Sequence, residues 1–228
     1  MVLSESRLQK PLQSGDAEEL VRVLDSLSRS EQRTANSLLG ERLLVEVPVD
    51  VFWKVTEALV HHDSKAWLIT LMKTFVVRFR IGTVSLSDAP FARLAKGFND
   101  IERRKVGLLL LPEMRVPEQV EKLFEVLRIQ KGRAQMTYLV RVDTLPCLFL
   151  LLRSLRYVEH DRSEVLEVAR VLMKRGTGQS FNLASIIKVA FGLDELTGTF
   201  SLRLLPYQIA RLEQSYEAFC GSVRTIGS

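Results

Sequence analysis

Apolar residues return along this chain at intervals of three and four rather than two, and that period is helical. Asp16, with Glu19 three residues on, precedes Leu20, Leu24 and Leu27, so a side-chain oxygen is placed to take an otherwise unpaired backbone N–H. Ser28 and Glu31 repeat that spacing for a second segment, which reaches Leu43 and is weakest at Gly40. Val47-Pro48-Val49-Asp50 opens a third helix bearing Val51, Phe52, Trp53, Val55 and Leu59. Ser64 caps a fourth, through Trp67, Leu68, Leu71 and Phe75 to about Arg80. Gly82 ends it, and Thr83-Val84-Ser85, isolated between helical signals, reads as a loop.

From Ser87 the residues Phe91, Leu94, Ala95 and Phe98 form an apolar stripe along one helix face. Asp100 restarts the chain into a helix over Ile101 to Leu111, stopped by Pro112. Val116-Pro117 opens the stripe Val120, Leu123, Phe124 and Leu127, closed near Gly132. Met136, Tyr138, Val140 and Val142 alternate as in a strand, but their helical surroundings predict a helix over 133–142. Ser163 caps Val165, Val168, Ala169 and Leu172; Ser180 or Asn182 caps Leu183, Ile186, Ile187, Ala190 and Phe191. Residues 194–202 are a polar connection, and Leu205, Ile209, Leu212, Tyr216, Phe219 and Val223 make a seam on a last helix. About 11 helices result, joined by short turns, with residues 1–15 read as a flexible N-terminal segment and 1–228 as a single domain.

One stretch departs from the one-faced pattern. Leu145 to Leu152 is uncharged throughout, behind Thr144 as N-cap and with Pro146 in the first turn, where a missing N–H costs nothing. It is far short of the roughly 20 apolar residues that span a bilayer, so it predicts an inner helix covered on both sides. Nothing at the N-terminus resembles a secretion signal, and no membrane association is expected.

Charge changes this picture modestly. The 228 residues carry a net charge of +5, with 32 basic side chains of which 22 are arginine. That permits an RNA or acidic partner without requiring one. Four basic clusters stand out: Lys73, Arg78 and Arg80; Arg103, Arg104 and Lys105; Arg128, Lys131 and Arg133; and Lys174 with Arg175. Cations near helix C-termini are favoured by the helix dipole, which accounts for most of these positions. If the helices stack, the same ends also line one edge that could follow a phosphate backbone.

Catalytic patterns are incomplete. His61-His62-Asp63 matches part of a helical metal phosphohydrolase site, but no histidine precedes it, and adjacent helical residues point about 100 degrees apart. Glu159-His160-Asp161 reads likewise as a polar inter-helix turn. Gly176-x-Gly178-x-Ser180 lacks the Lys-Ser/Thr ending of a phosphate-binding loop and follows no strand. Cys147 and Cys220 sit in apolar patterns, as reduced buried thiols do. The expectation is a protein that is not an enzyme, with no cofactor, metal or small-molecule substrate.

Repetition is visible in two features. Asp16, Asp50 and Asp88 stand at intervals of about 35 residues, the length of a helix-pair unit. Val47-Pro48 with Val51 and Val55 recurs two such intervals further along as Val116-Pro117 with Val120 and Phe124. This rhythm predicts an all-α, right-handed α-solenoid-like array of antiparallel helix pairs, of the HEAT or tetratricopeptide type. The segments LSDAPFARLAKGFNDI and QSFNLASIIKVAFGLDEL resemble the degenerate helix of the heptatricopeptide and octotricopeptide families. Those families are α-solenoids, chiefly of mitochondria and chloroplasts, so the resemblance implies an intracellular helical-repeat protein of RNA processing or ribonucleoprotein assembly, with the mitochondrion favoured over the cytoplasm. Its partners would be other protein subunits and single-stranded RNA. The alternative is a protein-only scaffold that receives partner helices in an apolar groove.

Overall fold

The computed structural model describes residues 5–157 and 162–175, with positions 183, 184, 187, 188 and 214, and every element among them is helical. The chain divides into two compact units, Met1–Leu110 and Leu111–Ser228.

In the first unit, α1 (Glu5–Ser14) occupies the segment that reads as flexible in sequence. It is held because Leu8 and Leu12 are buried, which outweighs the helix cost of an internal Pro11. Asp16 caps α2 (Ala17–Asp25) by accepting the N–H of Glu19 at 2.9 Å. Ser28 and Glu31 form a reciprocal capping box on α3 (Arg29–Leu38). The Ser28 hydroxyl and the Ser28 N–H both donate to the Glu31 carboxylate, at 2.7 and 3.0 Å, and hold that carboxyl below its usual pKa. A π-turn, Leu39–Leu43, and the single turn α4 (Leu44–Glu46) continue the column.

Helix α5 (Val49–Arg80) is one element interrupted at Asp63, whose backbone is non-helical. The sequence places this break correctly and the cap one residue late: Asp63, not Ser64, accepts the N–H of Ala66 at 3.1 Å. The same slip occurs before α7 (Asp100–Leu110), where Asn99 rather than Asp100 is the cap and exchanges bonds with Glu102. Between them α6 (Ala89–Gly97) packs Phe91 onto α5, stacked on Phe75 at 4.8 Å and near Trp53.

A ladder of polar contacts joins the α3–α4 column to the second half of α5. Thr70 Oγ1 donates to the Asn36 amide oxygen at 2.5 Å, Thr74 Oγ1 to the Gly40 carbonyl at 2.8 Å, and Arg78 Nε to the Leu44 carbonyl at 2.8 Å, each across 34 residues. A constant separation means the two columns run parallel; antiparallel neighbours would show a constant sum. Successive rungs are four residues apart on both sides, which is one turn.

Gly40 lets these columns meet. A Cβ there would press far inside van der Waals contact with Thr70 Cγ2, and Thr70 is pinned by Asn36. Gly40→Ala gains about 1 kcal/mol of helix propensity, against about 1–3 kcal/mol of overpacking. A net loss of about 1–2 kcal/mol in urea unfolding is expected, recovered when Thr70→Ser is added, which removes the clashing methyl. A Gly40→Ala protein as stable as the parent would show that the columns part freely.

The second unit contains a 3₁₀ turn (Leu111–Glu113), α8 (Pro117–Val126), α9 (Arg133–Leu139), α10 (Leu145–Tyr157) and α11 (Arg162–Arg175). Helix α8 stops earlier than Gly132: Arg128 adopts a left-handed φ of 55°, and the Ile129 N–H returns to the Phe124 carbonyl at 2.9 Å. The alternating stretch after it is helical, because Met136, Leu139 and Val140 share a buried face at helical spacing. Six consecutive residues of α10, Pro146 to Leu151, are buried, as the uncharged run predicts. Helix α10 packs against α8 and α9. The Gly176-x-Gly178-x-Ser180 turn, Glu159-His160-Asp161 and Cys220 lie outside the described residues, as do the expected helices after Ser180 and over Leu205 to Val223 except at 183, 184, 187, 188 and 214, where Leu183, Ala184 and Ile187 are buried.

Candidate nucleic-acid interface

The eleven basic candidates separate by what surrounds them. Arg78 is the clearest correction: it is 2% exposed, and its guanidinium donates to the carbonyls of Leu44 and Val47 and lies 4.8 Å from the centre of the Phe52 ring. Burial lowers its pKa, but two carbonyls at a helix C-terminus and an aromatic face compensate the charge without a carboxylate. It is an internal brace, not a surface cation. Arg175 does the same in the second unit, donating to the Val140 carbonyl and pairing with Asp143, with its side chain only 18% exposed. Both serve the fold because each ends a helix beside the unpaired carbonyls of an earlier one.

Two further candidates are engaged at the surface. Arg103 is bonded to Asp100 at 3.4 Å and its Nε is buried; Arg133 pairs with Glu164 at 3.0 Å. Lys73, Arg80, Arg104 and Lys105 in the first unit are exposed, as are Arg128, Lys131 and Lys174 in the second. Arg103, Arg104 and Lys105 sit within α7 rather than at its end, so the helix dipole does not explain them.

Lys73 is one of the candidates that the fold places in a groove, as Lys131 and Arg133 are in the second unit. A trough runs along the seam between α3 and the second half of α5 as two adjoining hollows of about 390 and 330 Å³ that share Arg33 and Asn36. One holds Arg29, Gln32, Asp63 and Trp67, the other Gly40, Glu41, Thr70 and Lys73. Arg29, Gln32, Arg33, Asn36 and Ser37 follow helical spacing, so a polar stripe on α3 was visible in the sequence. Scanning for neighbouring cations misses it, because Lys73 joins Arg33 only through the parallel register.

In the second unit a cleft of about 790 Å³ lies among α8, α9 and α10. Its floor is Ile129, Leu139 and Leu150, and its rim carries Glu121 bonded to Arg153 at 3.0 Å and Lys122 bonded to Glu125 at 3.1 Å. A smaller hollow of about 170 Å³ between α9 and α11 is lined by Met136, Val140, Val168 and Val171 together with Thr137, Glu167 and the paired Arg133 and Glu164.

The remaining chemical candidates have ordinary surroundings. His62 Nε2 lies 2.8 Å from Asp25 Oδ1 at the exposed break of α5, and His61 is exposed beside it. Among the described residues no three His, Cys, Asp or Glu side chains are grouped to hold a metal ion, and no helix is long and apolar enough to cross a membrane. Cys147 is fully buried, and burial pushes its thiol up to about 11, opposed by the Thr144 hydroxyl and the Arg175 charge. The chain matches no protein-family model, no curated protein and no solved structure.

Proposed function

We propose that this chain is a non-enzymatic helical-repeat protein, an array of antiparallel helix pairs in the manner of a right-handed α-solenoid, that binds RNA as a subunit of an RNA-processing or ribonucleoprotein assembly. The parallel register carries the reading. In the first unit Thr70, Thr74 and Arg78 meet Asn36, Gly40 and Leu44 at one constant separation. In the second, α9 meets α11 through Arg133 with Glu164 and Val140 with Arg175, and α8 meets α10 through Glu121 with Arg153, at similar separations. A helix that meets the next-but-one helix in the same direction, one unit length on, is the contact pattern of stacked helix pairs. Arg78 and Arg175 brace it at matching places. Such arrays work through their extended surfaces, and the exposed cations on a chain of net charge +5 favour a polyanion. The organellar, mitochondrial setting belongs to the same proposal.

Filter binding of the full chain to mixed-sequence single-stranded RNA tests it. Log affinity should fall linearly with log salt, by about 0.7 for each phosphate neutralised. Reversing the exposed pair, Arg104→Glu with Lys105→Glu, should weaken binding by about tenfold at low salt. No binding at low salt, or indifference to both reversals, would remove RNA from the reading. The protein-only scaffold would then stand, and the hollow between α9 and α11, sized for one side chain of a partner helix and including Met136, Val140, Val168 and Val171 in its lining, favours it.

A further inference from the structure

We draw no further inference here: the strongest candidate, the cleft of about 790 Å³ among α8, α9 and α10, sets Glu118, Glu121 and Glu125 against Lys122, Lys131 and Arg153 around its apolar floor, so its charge selects no partner, and nothing in the structure shows what covers it.

Discussion

Replacing Arg78 by alanine is expected to destabilise the protein by about 3 kcal/mol or more, among the largest effects of any single charged residue in the first unit. Two costs add. The Leu44 carbonyl loses its donor in a buried place, at about 1–3 kcal/mol for an unsatisfied group, and the part-buried Val47 carbonyl loses its donor as well. A large, fully buried side chain is also cut back to a methyl, leaving a void over Phe52. Against this stands the desolvation cost of a buried cation, which the variant no longer bears. Arg78→Met separates the two, since it fills the volume and drops the charge but leaves both carbonyls unpaired; it should fall between alanine and the parent. Arg78→Lys should rescue poorly, because an ammonium on a flexible stem cannot present the planar fork that reaches two carbonyls. Urea unfolding reads this as a lowered midpoint with an unchanged slope. If Arg78→Ala stayed within about 0.5 kcal/mol of the parent, the carbonyls would be reached by water and the brace would not exist.

Leu148→Glu should be at least as damaging in the second unit. Leu148 is fully buried in the middle of the six-residue run of α10, so a carboxylate there is unpaired or forces the helix outward. The expected loss is about 4 kcal/mol, a large fraction of a typical domain's roughly 5–15 kcal/mol, seen as a fall in melting temperature of about 10 °C or more. Leu150→Glu should cost less, because Leu150 reaches the floor of the large cleft, whose lining includes Lys131 and Arg153. Arg153→Ala, on the exposed side of the same helix, removes only a surface pair with Glu121 and should cost under about 1 kcal/mol. Leu148→Glu melting like the parent would mean α10 is not an inner helix.

The cations show where sequence reasoning reached and where it stopped. Arg78 sits in an apolar run, Phe75-Val76-Val77-Arg78-Phe79, one helical turn after Thr74 and two after Leu71, so it follows the buried stripe. Its position on that stripe was the available signal; grouping it with nearby Lys73 and Arg80 hid it. Arg29 and Arg33 were hidden differently, since the cation that joins them, Lys73, stands on another helix and no local pattern links it to them. The caps failed by single residues, at Asp63 and Asn99, because adjacent side chains could both accept the N–H. Only the path of the chain chose between them.

By itself the sequence determined much of the helical pattern: the apolar faces, the caps at Asp16 and Ser28 and the buried character of Pro146 to Leu151 depend on residues three or four positions apart, within reach of one another in any conformation that is locally helical. Thr144, read as a cap, instead buries its hydroxyl without an N–H partner, and Ser163 lies inside α11. The tertiary structure decided which helices run parallel, and through that which charges face inward. The Leu44 carbonyl needs a donor, but nothing near it in sequence supplies one; Arg78 arrives because Gly40 allows the columns to close on Thr70. The same closure brings Lys73 beside Arg33. Pairings so distant in sequence depend on the packing of every helix between the partners, so they can be read only after the chain has folded.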